Sequence, residues 1–259
     1  MLTPAGTLQG AIDPRPDRMA SRAGTGALVA AALAAMALAA VVPSLLVGHS
    51  SSVAPVLRAR SSAPSGLSSL PFAAQGSISA ALGADQVAYR VTASAGSLQA
   101  ANPAQGLHAR FDRAGVSIRS GAVQAGLSLR ALGYGTTLTP LGRAVPRAMA
   151  NRVTYARAGL IEWYANGPLG LEQGFTLPRA PAARALGPLT LSMQLSGNAR
   201  ATAAVDAQSI TLGGPGGSSL RYGALRVSDA RGRALHGWLE VNGRQLLVRV
   251  DVGGARYPL

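Results

Sequence analysis

Glu162-Trp163-Tyr164, followed ten residues on by Glu172, is the one acid–aromatic constellation in this 259-residue chain. Two carboxylates beside a ring that can stack on a sugar are the parts of a glycoside hydrolase. One would act as acid and the other as nucleophile or base. The same four residues without turnover would make a carbohydrate-binding module. On a strand, however, side chains alternate, so Glu162 and Tyr164 share one face while Trp163 points to the other. One carboxylate would therefore sit on the face away from the indole. The competing expectation puts Trp163 in the core with Ile161 and leaves Glu162 at the surface, paired with an arginine.

Other reaction chemistries find little material. The three histidines, His49, His108 and His236, have no ligand-like spacing to one another or to acids, so no metal site is expected. Serines are plentiful, but no Gly-x-Ser-x-Gly elbow is present. Gly213-Gly214-Pro215-Gly216-Gly217 is glycine-rich yet lacks the lysine and the strand–helix setting of a phosphate loop. Cysteine is absent, which removes thiol catalysis, disulfides and thiolate metal sites. Lysine is absent too, and Schiff-base chemistry goes with it. Eight carboxylates follow the leader and none forms a D-x-D-x-D loop, so no calcium loop is expected. No cofactor is implied. Trp238, Tyr222 and Tyr257 are expected in the core or at an interface.

All 24 basic residues are arginine against 10 acids, a formal net charge of +14. They are scattered without interleaved aromatics, as compositional bias toward Ala, Arg and Gly would scatter them, so no specific nucleic-acid partner is expected. Attraction to anionic cell-envelope polymers follows from charge alone, without a dedicated site.

The elements that must carry these residues read as strands. Val87, Tyr89 and Val91 alternate with polar or small neighbours. So do Val123 to Ala131, Leu189 to Leu195 and Leu246 to Val252, the mark of half-buried antiparallel strands. Shorter candidates lie at 107–111, 116–119, 153–156, 160–165, 171–177, 209–212, 219–227 and 235–241. Asn242-Gly243 is a hairpin signal of type I′, and Asp229-Ala230-Arg231-Gly232 suits a type I turn. No long 3.6-residue period follows residue 69, so substantial helix is not expected there. Segment 139–150, flanked by prolines, breaks the pattern and separates two sets of strands. The expected fold is all-β: an antiparallel β-sandwich, or two packed β lobes, over residues 70–259.

Ahead of it, Arg15, Arg18 and Arg22 lead into the apolar run Ala27 to Val47, a basic region then an apolar one, as in an export signal. Small residues follow at Gly48-His49-Ser50 and Ser52-Val53-Ala54, as a signal peptidase needs. The run of about 21 residues could instead stay as a membrane-anchoring apolar helix. Residues 1–50 thus read as signal peptide or anchor, and 51–69, rich in Ser, Ala and Pro, as a flexible linker. Secretion or display at the cell surface is expected, with the membrane touched only through residues 27–47.

From about Leu70 to Leu259 the chain resembles the N-terminal all-β domain of large bacterial secreted proteins carrying FG-GAP or related β-propeller repeats. It does so in the opening stretch 80–103 and above all in 151–177, 187–201 and 219–259. The resemblance rests on Tyr155, Glu162-Trp163-Tyr164, Gly167-Pro168-Leu169-Gly170-Leu171-Glu172 and Tyr257-Pro258-Leu259. It implies a structural or adhesive module without catalytic residues, facing envelope polymers or other surface proteins. Family members continue past Tyr-Pro-Leu into repeats, where this chain stops.

Overall fold

The computed structural model describes residues 8–15, 66–182 and 186–259. The chain first forms strand β1 (Leu8–Arg15); at Gly66–Ser69 a 3-10 turn leads to helix α1 (Phe72–Asp85). A meander follows: β2 (Val91–Ser94), β3 (Ser97–Asn102), β4 (Leu107–Asp112), β5 (Gly115–Ser120), β6 (Val123–Tyr134) and β7 (Thr137–Pro140). Next come β8 (Arg147–Met149), β9 (Arg152–Arg157), β10 (Leu160–Gly167) and β11 (Gly170–Thr176). β12 (Leu189–Gly197) precedes β13 (Arg200–Ala203), β14 (Ser209–Gly213) and β15 (Ser219–Val227). β16 (Gly237–Asn242) and β17 (Gln245–Val250) close the chain.

These strands make two antiparallel sheets. One runs β13-β14-β15-β1-β11-β10-β9-β8; the other runs β16-β17-β12-β6-β5-β4-β3-β2, with β7 also on β6. Strand β1 joins the two parts of the first sheet: Ala11 pairs with Glu172 of β11 on one side and with Gly223 of β15 on the other. The fold is mostly β, as the alternating pattern leads one to expect.

Period-two patterning does the positioning. In β4, Leu107, Ala109 and Phe111 are buried while His108, Arg110 and Asp112 are exposed. Buried side chains of both sheets meet in one hydrophobic cluster, including Phe111, Ile118 and Leu127 from one sheet and Tyr155, Phe175 and Tyr222 from the other. Removing a side chain of this size from water contributes about 1.5–3 kcal/mol. The Phe111 and Tyr164 rings lie 5.2 Å apart across this core. Tyr155 donates its hydroxyl to the carbonyls of Asp112 (3.0 Å) and Gly115 (2.8 Å), fastening β9 to the β4–β5 turn.

Several expectations need correction. A 14-residue helix stands where none was expected. Its docking face is built from small residues, so no row of large apolar side chains advertises it. A Cβ at Gly83 would come 2.1 Å from the Asn166 carbonyl oxygen, and one at Gly167 would come 2.2 Å from the Ser79 carbonyl oxygen. Val87–Tyr89 is a 3-10 turn and not a strand; Tyr89 is buried but Val87 is 77% exposed. The β16–β17 loop is Gly243-Arg244, since Asn242 still pairs with Gln245. Only Gly243 has positive φ (60°), so the turn follows the II′ pattern, not I′. Segment 139–150 holds the end of β7 and all of β8, and carries the chain from one sheet to the other. Gly66–Ser69, counted with the linker, belongs to the ordered body. Leu8–Arg15, counted with the leader, is a sheet strand. The apolar run 27–47, with its expected helix, and residues 51–65 lie outside the described residues. Among the described residues no helix is long and apolar enough to cross a membrane.

Candidate functional site

The β10–β11 hairpin carries all four residues of the acid–aromatic constellation. Its register sets Glu162 opposite Phe175, Trp163 opposite Gly174, Tyr164 opposite Gln173 and Ala165 opposite Glu172. Tyr164 and Phe175 belong to the core cluster, so Glu162, Tyr164 and Gln173 face inward. Trp163 and Glu172 face the other way. The two carboxylates are thus separated by the sheet itself and do not converge on one bond.

On the inner face Glu162 is 0% exposed, the reverse of the surface position expected for it. Its burial is tolerable because every neighbour answers its charge. Arg157, itself buried along its side chain, donates from Nε (3.1 Å) and Nη2 (2.9 Å) to Oε2. The Tyr164 hydroxyl donates to Oε1 at 2.8 Å, and Gln173 Nε2 reaches the same oxygen at 3.1 Å. Gln173 Nε2 also donates to the Tyr164 hydroxyl (2.8 Å), and the Tyr222 hydroxyl donates to Gln173 Oε1 (3.2 Å). Burial, reinforced by the Glu162 charge, pushes the phenols of Tyr164 and Tyr222 up, so both remain proton donors. A carboxylate held this way is committed to orienting its neighbours. It has no lone pair turned toward an incoming substrate.

On the outer face Trp163 is 6% exposed, while Ile161, its expected core partner, is 38% exposed. The indole lies over Gly174, where a Cβ would come 2.1 Å from the ring, and the Arg152 guanidinium carbon sits 4.0 Å from the ring centroid. Glu172 is 8% exposed. Burial pushes its carboxyl up to about 7, against the opposing pull of Arg226 and Arg152. Burial likewise lowers the Arg152 guanidinium, with Glu172 opposing. Trp163, Arg152 and Glu172 therefore form a second, separate group.

A third polar group joins α1 to the sheets. Asn102 Nδ2 donates to Asn166 Oδ1 and to the Gly167 carbonyl, both at 2.8 Å. Asn166 Nδ2 donates to the carbonyls of Tyr89 (3.0 Å) and Ala101 (2.7 Å). Asn151 Nδ2 reaches the carbonyls of Ala80 (2.8 Å) and Asn166 (2.6 Å). None of these asparagines stood out in the sequence, because buried amides have no spacing signature.

Tyr222 is in the core as expected. Trp238 is half-buried, donates from Nε1 to Glu240 (2.8 Å) and stacks on His236 at 5.3 Å. With Asp206, Gln208 and Asp251 these two rings line a cleft of about 560 Å³. Asp229 caps the turn expected at 229–232. Burial alone would raise its carboxyl, but the backbone N–H groups of Arg233, Arg256 and Arg231 outweigh that and hold it below the usual range. Among the described residues no three His, Asp or Glu side chains are grouped to hold a metal ion.

Comparison with family models, with curated proteins and with solved structures returns no match.

Proposed function

We propose that this chain is an exported, non-enzymatic β-sandwich module with a structural or adhesive role at a bacterial cell surface. The observation that carries the reading is the placement of Glu162. The residue best equipped for catalysis is closed inside the core, and its charge is answered by Arg157, Tyr164 and Gln173. Two antiparallel sheets sharing one cluster of buried side chains support the sandwich. The basic leader and apolar run support export. The resemblance to domains that precede β-propeller repeats supports a module that serves a larger surface assembly.

The glycosidase or carbohydrate-binding alternative at Glu162, Trp163, Tyr164 and Glu172 has a specific objection. These residues are divided between two faces of one sheet, and none is open to a polymer. A Glu162→Gln variant separates the two readings. A structural Glu162 leaves the Arg157 charge buried and uncompensated when replaced, so stability falls by about 3–5 kcal/mol in urea unfolding. Wild type is expected to show no glycan turnover in a hydrolysis screen. Unchanged stability together with lost hydrolysis or glycan binding would overturn the proposal. For location, the test is cell fractionation with N-terminal sequencing, and finding the full leader on a cytoplasmic chain would end the export reading.

A further inference from the structure

The outward face of the β2–β6 meander gathers three arginines and a histidine that are scattered in the sequence. Antiparallel register sets His108 directly opposite Arg119, and Arg119 directly opposite Gln124. Arg110 follows His108 by two residues on the same face of β4, and Gln99 stands opposite it on β3. Arg90, just before β2, reaches the same place. Together they line a groove of about 570 Å³. No carboxylate lines it. Among the described residues none of the three arginines makes an ion pair. Neighbouring strands are about 4.8 Å apart and alternate residues along one are about 6.8 Å apart. Arg110 and Arg119, on adjacent strands and offset by two residues, therefore lie roughly 8 Å apart at the backbone, about one screening length at physiological salt. Arg90, two strands from Arg110 and three from Arg119, lies roughly 10–14 Å away. The arginines are set diagonally, each facing a neutral partner such as Gln99, Ser117 or Gln124, so the sheet tolerates them while their positive fields add within the groove. The remaining lining, Gln99 and Gln124, supplies amide donors without adding charge.

We propose that this groove is a dedicated site for a linear phosphate-bearing polymer, with Arg90, Arg110 and Arg119 as its anion-binding residues. The guanidinium fork matches phosphate oxygens bidentately, which a field from net charge alone does not require. The length of the groove across five strands suits an extended chain over a single ion. The site names the partner for the adhesive role proposed above and rests on that reading for its biology. Its chemistry is independent of where the chain resides.

The test uses the full chain and inorganic polyphosphate, followed by calorimetry over a series of salt concentrations. Arg110→Gln/Arg119→Gln is compared with Arg179→Gln/Arg200→Gln, which removes the same charge from exposed positions elsewhere. The groove pair is expected to weaken binding about 10-fold or more. It should also make the slope of log K against log salt shallower by about two. The control pair should change affinity less than about 2-fold. Equal losses in the two double variants would reduce the effect to net charge and overturn the site. So would absence of saturable polyphosphate binding, or tighter binding of the carboxylate polymer alginate. A chain that binds in this way but fractionates with the cytoplasm would sink the export reading and leave the groove standing.

Discussion

Glu172 is a carboxyl that titrates in the neutral range. In the fold its proton is held until about pH 7, whereas the unfolded chain releases it near the ordinary 4.5. Between those values the native state keeps a proton that the unfolded state has lost. Stability therefore falls as pH rises from 4.5 to 7, and the loss is complete above that window. Its size is on the order of 3 kcal/mol. Glu172→Gln should flatten this part of the curve and melt at or above wild type at pH 8, as thermal unfolding across pH would show. Asp229 acts in the opposite sense. Its lowered carboxyl contributes stability above the usual Asp range and withdraws it as acid protonates the group. The sequence named Glu162, Trp163, Tyr164 and Glu172 as a cluster, and alternation correctly divided Trp163 from its neighbours. Which face is core was not legible. That choice turns on Arg157, Gln173 and Tyr222, which come from β9, β11 and β15 and meet only through tertiary pairing.

Strands with five or more alternating residues, such as β4, β6, β12 and β17, were readable because one face of each is buried along most of its length. The short strands β7, β8 and β13 were not, since their side chains are largely exposed and their pairing is dictated by neighbours. Helix α1 was invisible for a different reason: it docks by closeness and not by bulk. This is testable at Gly83. Intrinsic propensity favours alanine over glycine in a helix by roughly 1 kcal/mol. Here the added Cβ would meet the Asn166 carbonyl, so Gly83→Ala should instead destabilise by about 1–3 kcal/mol. Chemical denaturation decides between the two signs, and a stabilised variant would mean that α1 does not pack closely on β10.

For the molecule as a whole, composition and period sufficed for the all-β class. They could not show that the first sheet takes in residues from ahead of the apolar run. In β1, Gln9 pairs with Gly174 and Ala11 with Gly223, so the strand is flanked on both edges. Deleting residues 1–15 should leave β11 and β15 without their shared neighbour. Hydrogen exchange at Leu171–Phe175 and Leu220–Val227 should quicken and the melting temperature should drop, while the β3–β5 amides stay protected. Unchanged exchange in β11 and β15 would show that β1 contributes nothing to the sheet.

That strand also ties maturation to architecture. A peptidase cutting beyond Val47 would sever the first stave of the sheet from the other seven. Two rows of backbone donors and acceptors would then face each other across a gap one chain wide. An extended segment of another polypeptide could fill that vacancy by the same main-chain pairing. Processing of the leader would then be the event that turns a self-sufficient body into one requiring a guest.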